Sequence, residues 1–367
     1  MEIRMYECGF GDCFRLRRKN DTDLYVDFGI HNSSWSSEER KNRYMYIIND
    51  MGNEKDFLLS HYHDDHYNGV IYMAKNTKHK FRDVYVPDVW NMPESVHITS
   101  LMLLRDIFTK SIICGENTII DFFESICTNR SKIYFLSRGG KFHKNQYLVL
   151  WPEKGYVANK AEKIFTKMQE EMSNVHIEQI QMIASRLNEL VLQAGETDYG
   201  ENMKNYSGQF SELEEQYVGL KYQIESGYNN KFKNKMQYKL TRFGNEISIV
   251  FQNCSGDKNI LFTGDFGKKI NWSYIEDNKD NVVEMKDKYN IVKVPHHGTK
   301  PYYHSFVNRV RDDSIFLITN GNSRKNWCIS EKYFQDSIYL HNHMICSVNM
   351  SLSYKCKEIY PCKYVDV

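Results

Sequence analysis

The 367 residues predict an α/β fold interrupted by a long helical insertion. Three observations point there. Apolar runs of strand length alternate with helical stretches as far as Trp151; residues Val157 to Phe243 carry helical periodicity and no strand pattern; strand-like runs return from Glu246.

The N-terminal strands are expected at Ile3 to Cys8 and Cys13 to Arg17, joined through Gly9-Phe-Gly-Asp12, and then at Leu24-Tyr-Val-Asp-Phe-Gly29. A polar helix follows from Ser37 to Met51, with Ser36 or Ser37 as cap and Glu38 and Glu39 in its first turn. A buried strand comes next, Phe57 to Ser60. Val84 to Pro87, Lys132 to Leu136 and Tyr147 to Trp151 also have strand patterns, and Ser100 to Ser111 and Thr118 to Cys127 have helical ones.

In the insertion, Ile164, Met168, Met172 and Val175, then Ile180, Ile183, Leu187, Leu190 and Val191, recur mostly at steps of three and four, as a pair of amphipathic helices requires. Such helices need a burial partner, within a hairpin or on another subunit. Strands are expected again at Ile247 to Phe251, Asn259 to Thr263, Ile291 to Val294 and Ser314 to Ile318. The stretch after residue 330, with Cys356 and Cys362, reads as final strands.

Bulk properties narrow the class. Hydrophobic residues at 41% and aromatics at 14% supply a large core, and a net charge of +1 excludes strong global attraction to nucleic acid or anionic membrane. Nine cysteines with no Cys-x-x-Cys pair suit a reducing compartment. There is no signal-peptide pattern after Met1 and no long uninterrupted apolar window, so a cytoplasmic protein that does not enter the membrane is expected.

The chemistry concentrates in Ser60-His-Tyr-His-Asp-Asp-His-Tyr-Asn-Gly69, directly after a strand. His61 and His63, two apart on extended backbone, can face one metal ion, while Asp65 and His66 begin a turn and can face a second. Two later strand ends supply what this loop lacks: Leu261-Phe-Thr-Gly-Asp265 offers a carboxylate able to bridge two cations, and Ile291-Val-Lys-Val-Pro-His296-His297-Gly298 offers an imidazole for the second. Alone, the Gly-Asp pair reads equally well as a turn. No Gly-x-Ser-x-Gly elbow, Walker loop or dinucleotide fingerprint is present.

With His-x-His-x-Asp-His, then Gly-Asp, then a terminal His, the chain resembles the metallo-β-lactamase superfamily. Gly9-Phe-Gly-Asp12, Val26-Asp-Phe-Gly29, Asn245-Glu-Ile-Ser248, Thr263-Gly-Asp265 and Val294-Pro-His-His-Gly-Thr299 bring it nearer to the hydrolase domain of ComEC-type DNA-uptake proteins. The resemblance implies a four-layer αββα sandwich made of residues 1–156 and 244–367, with 157–243 as the insertion. It also implies a first metal on His61 and His63, a second on Asp65, His66 and His297, and Asp265 as bridge. The pattern favours His297 over His296, leaving His296 a supporting or proton-donating role.

One departure stands out. Most superfamily members carry a further His for the first metal in a Gly-His-Thr type loop, which is missing here; Asn245 lies near the matching place, and His143 and His176 are alternatives by residue type only. Zn²⁺ suits the imidazoles, while carboxylates and an Asn also admit Mn²⁺.

The activity so implied is a metal-dependent phosphodiesterase or nuclease, with Asp65 orienting the nucleophile. A non-phosphate ester substrate, or a regulatory component that docks a partner protein through the insertion, is the alternative. The stretch Asn230 to Arg242, cationic with Phe232 and Tyr238 interleaved, reads first as a solvated helix end and second as a surface for a phosphate backbone, offset by the acidic Glu196 to Glu201 and Glu212 to Glu215. Trp90, Tyr302 and Tyr303 read as pocket wall.

Overall fold

The structure, a computed structural model, describes residues 1–31, 35–109, 117–196, 203–267, 269–320, 329–330, 332–335, 344–347 and 365–366. The expected helix end at Ser111, most of the acidic run Glu196 to Glu201, and Cys356 and Cys362 lie outside them.

The described residues form a mixed α/β protein with two mixed seven-stranded sheets. The first holds β1 (Glu2–Met5), β2 (Cys13–Arg17), β3 (Asp23–Phe28), β4 (Lys55–Leu58), β5 (Asp83–Pro87), β6 (Lys132–Leu136) and the last strand, β14 (Val365–Asp366), in the order β14-β1-β2-β3-β4-β5-β6. The second holds β7 (Lys141–Phe142), β8 (Tyr147–Trp151), β9 (Val250–Asn253), β10 (Ile260–Phe262), β11 (Tyr289–Lys293), β12 (Val310–Ile318) and β13 (Met344–Ser347), running from β13 to β7 in reverse order. In each sheet one side is antiparallel and the other parallel.

The two sheets do not divide along the chain into an N-terminal and a C-terminal one. β7 and β8 join the C-terminal strands, and β14 returns to pair with β1. Both faces of β8 are apolar, so Tyr147 and Val149 pack toward the first sheet while Leu150 and Trp151 pack with Phe266 and Trp272. Pairing with β14 covers the backbone edge of β1.

Side-chain alternation along the strands sorts the core into three clusters. Leu24, Val26 and Leu58 of the first sheet meet Val149, Phe251, Phe262 and Ile291 of the second. Tyr25, Phe28 and Phe57, from the opposite face of the first sheet, pack with helices α1 (Ser37–Asp50), α2 (Asn68–Asn76), α3 (Ser95–Phe108) and α4 (Ile119–Thr128). Val250, Leu261 and Val292 pack on the far side of the second sheet, with Trp272 and Ile275 from the segment Lys269–Glu276.

Local chemistry sets several boundaries. Ser36 and Glu39 form a reciprocal capping box at the start of α1, and Thr118 and Asp121 do the same for α4. Strand β1 stops at Met5, not Cys8, because the chain turns just beyond it, with Gly11 N–H donating to Cys8 O at 3.1 Å. Helix α3 starts at Ser95, before the expected Ser100.

Between β8 and β9 run α5 (Lys154–Glu171), α6 (Asn174–Glu196), α7 (Met203–Gly227) and α8 (Asn230–Glu246). Val157, Ala161, Ile164, Phe165 and Met168 of α5 make one buried stripe. The burial partner lies within the chain: α5, α6 and α8 pack on α3, and α7 packs on α4 and α6. Val175, expected on the apolar stripe, is 60% exposed, because α5 ends at Glu171 and the residue opens α6 instead. The strand expected from Ile247 begins only at Val250, since α8 continues through Glu246. The remaining described elements are α9 (Lys269–Glu276) and α10 (Lys332–Gln335); among the described residues no helix is long and apolar enough to cross a membrane.

Candidate metal centre

Three strand ends meet at one place. After β4, Ser60 O accepts from Ile249 N–H at 2.7 Å, and the chain passes through His61 and His63 into a 3-10 turn, Asp64–His66. After β10, Thr263 Oγ1 donates to Lys293 O at 2.7 Å, and Asp265 N–H donates to Ser248 Oγ at 3.2 Å. After β11, His296 N–H donates to Gly264 O at 3.2 Å, which ties the His-His turn to the Gly-Asp turn. His296 and His297 both hold left-handed backbone, with φ of 45° and 54°. Such strain in non-glycine residues persists only where the surroundings enforce it.

Four imidazoles converge on one oxygen. Asp265 Oδ2 lies 3.8 Å from His61 Nε2, 3.7 Å from His66 Nε2, 3.8 Å from His296 Nε2 and 3.4 Å from His297 Nε2. Most of these separations are too long for hydrogen bonds. They suit ligands that share an ion, since two donors about 2.1 Å from a tetrahedral cation stand about 3.4 Å apart. His61 Nε2, His63 Nε2, His66 Nε2, Asp265 Oδ1 and Asn245 Oδ1 are buried with no hydrogen-bond partner. Buried polar atoms left in this way call for a ligand. Candidate donor atoms fall into close groups, among them His61 with His66 and Asp265, and Asp65 with His66 and His297.

No protein-family model and no curated protein matches this chain.

His63 enters none of those close groups, although its ring stands 4.4 Å from that of His61. Its Nε2 abuts α8 where a Cβ on Gly244 would overlap it, so only glycine lets the helix end approach. The adjoining Asn245 is buried and donates from Nδ2 to Tyr302 OH at 3.0 Å. Tyr302 in turn stacks on His296, with ring centroids 3.9 Å apart. Asn245 is thus on the helix end that touches the site, ahead of β9.

Neither histidine considered by type belongs here. His143 Nδ1 pairs with Asp56 at 3.0 Å, and His176 Nδ1 meets Tyr228 OH at 3.1 Å in the helical region. Trp90 is buried wall, donating to Tyr62 OH at 2.7 Å, and Tyr303 packs on Tyr333.

Beneath the imidazoles lie charged groups that sequence reasoning left without a role. His66 Nδ1 donates to Asp27 Oδ2 at 2.9 Å, and Ser60 donates to the same carboxylate from both N–H and Oγ at 2.7 Å. Cys13 pairs with Phe28 and Phe14 with Val26, so Asp27 is the extra residue of a bulge, with φ of 57°. The bulge turns its side chain inward. A Cβ on the nearby Gly29 would overlap the Asp65 carbonyl, so this bend and the ligand loop are pressed together.

Asp12, at the end of the Gly-Phe-Gly turn, lies 3.5 Å from His297 Nδ1, 2.6 Å from Lys293 Nζ, and accepts from Thr319 Oγ1. A lone Asp or Lys inside an otherwise apolar strand, as at 27 and 293, was the available signal.

Burial and charge set the protonation preferences. Burial drives His61 and His63 well below the usual histidine range, and lowers His296 to about 4. Burial opposes charge on His66 and His297 too, but Asp27 and Asp265 hold His66 well above its usual value, and Asp265 and Asp12 raise His297 to about 9. Despite its own burial, Asp265 is held low by His297, His296 and His66.

Proposed function

We propose that the chain is a metal-dependent hydrolase of the metallo-β-lactamase type that cleaves phosphodiesters, its sheets and helices forming a four-layer αββα sandwich with residues 157–243 as an insertion. The convergence of His61, His66, His296 and His297 on Asp265 Oδ2 carries this reading. The core cluster between the sheets, flanked by one on each side, supports the layering.

The donor set fits two divalent cations, Zn²⁺ or Mn²⁺. His61 and His63, with the free carbonyl oxygen of Asn245, would hold one; Asp65, His66 and His297 would hold the other; Asp265 would serve both. Cations bound there lower the pKa of a water and stabilise developing negative charge. Asp65, less buried than its neighbours at 16% side-chain exposure, would orient the attacking water. His296, at 14%, fixed by Thr299 Oγ1 at 2.8 Å and by Tyr302, would hydrogen-bond the leaving oxygen.

The test is metal analysis of the purified protein together with hydrolysis of bis-p-nitrophenyl phosphate in added Mn²⁺ or Zn²⁺. Bound metal and turnover are expected in the wild type, and turnover is expected to vanish in Asp65→Ala and Asp265→Ala with circular dichroism unchanged. A wild type that holds no metal and hydrolyses nothing would overturn the reading.

A further inference from the structure

We propose that the groove between α5 and α8 binds the phosphodiester backbone of a single nucleic-acid strand and leads it to the metal centre, an inference that rests on the reading above for its substrate class. The groove encloses about 610 Å³. Lys160, Lys163 and Lys167 line it from α5, and Lys235, Lys239 and Arg242 from α8. Six cations face one carboxylate in the lining, Glu246, in a chain whose net charge is only +1. Such concentration along one channel is the electrostatic footprint of a polyanion.

Both helices supply cations to the groove. Lys160 is paired with Glu246 at 2.7 Å and Lys235 with Glu171 at 2.6 Å, whereas Lys163, Lys167 and Lys239 make no ion pair within 4 Å among the described residues. The α5 lysines sit at steps of three and four, so they share one face of the helix. Lys233, in the same basic stretch as Lys235, turns away to Glu225 O. The polyanion surface is therefore built from two helices, not from the stretch 230–242 alone.

Two features favour a nucleic-acid strand over an acidic protein. Tyr238, on the groove wall, is 70% exposed and offers a ring face on which a base can stack. The groove also adjoins the chemistry: α8 carries Arg242 on the groove side and Gly244, against His63, two residues later.

Fluorescence anisotropy with a labelled oligo-dT of about 20 nucleotides tests this against the Lys163→Glu/Lys167→Glu/Lys239→Glu variant, with the corresponding Gln triple variant as a milder change. The wild type should bind with steep salt dependence. The Glu variant should bind at least about tenfold more weakly, and both variants should lose about 2–3 from the slope of log affinity against log salt. Hydrolysis of bis-p-nitrophenyl phosphate and thermal melting should stay at wild-type values. Unchanged oligo-dT affinity in both variants would overturn the groove proposal and leave the metal centre untouched. So would a wild type that binds poly-glutamate and not oligo-dT. Groove-dependent binding in a protein that hydrolyses no phosphodiester would uphold the groove and remove the hydrolase reading.

Discussion

Asp27 grips Nδ1 of His66 at 2.9 Å from the bulged position of β3, leaving Nε2 of that ring directed at Asp265. The carboxylate can only accept here, so it fixes both the tautomer and the orientation of the imidazole. Replacing Asp27 by Ala leaves Ser60 N–H and His66 Nδ1 without their acceptor. Divalent-metal affinity, measured by competition with a chromophoric chelator, should fall about 10–100-fold. Unchanged affinity would remove Asp27 from the metal centre.

Gly244 should tolerate no side chain. Gly244→Ala must displace either His63 or the end of α8, and a cost of about 1–3 kcal/mol in urea unfolding is expected, accompanied by weaker metal binding. Gly219, on the exposed face of α7 with open space around it, provides the contrast. Gly219→Ala should stabilise by up to about 1 kcal/mol. Similar effects at both positions would show that helix propensity, not the approach to His63, governs residue 244.

Lys293 is fully buried between Asp12 and Asp265. Lys293→Met strands buried carboxylates without their cation and should cost about 3–5 kcal/mol by denaturant unfolding. Adding Asp12→Asn should recover part of that loss. A double variant no more stable than the single one would mean that the Asp12 charge is balanced elsewhere.

A cation that binds the folded centre stabilises it by mass action, by about 3 kcal/mol at a hundredfold excess over Kd. EDTA should therefore lower the melting temperature of the wild type, and Zn²⁺ or Mn²⁺ in excess should restore it. Asp265→Ala should melt alike with and without chelator. A wild-type melt indifferent to EDTA would count against metal at this site.

The strands were legible wherever local pattern suffices. Cys13–Arg17, Lys132–Leu136 and Tyr147–Trp151 form as the sequence suggests, because apolar strand-length runs bounded by turns leave little choice. The sheet to which β8 belongs was not legible, since an apolar run specifies burial on two faces but not the neighbour that provides it. The same limit applies to the helices: periodicity announced an apolar stripe around Ile164 and Met168, while α3 as its cover appears only in three dimensions.

His61, His66, Asp265 and His297, singled out at strand ends in the sequence, are brought together by the fold. Asp27, Asp12 and Lys293 stand in the sequence motifs, but their partners were not legible. Asp12 accepts from Thr319, 307 positions away, and no local spacing encodes such a contact.

Trp151 and Val250 are ladder partners in adjacent antiparallel strands, so everything between them leaves and re-enters the second sheet at one place. For inheritance, that is a graft point: a hairpin turn or a larger body can be spliced there without lengthening either strand, since joining two neighbouring ends costs little extra as the loop grows. The four helices at this junction are packed into the rest of the chain. They cover α3, and the end of α8 touches His63, so exchanging the cassette would alter the core and the surroundings of His63 together.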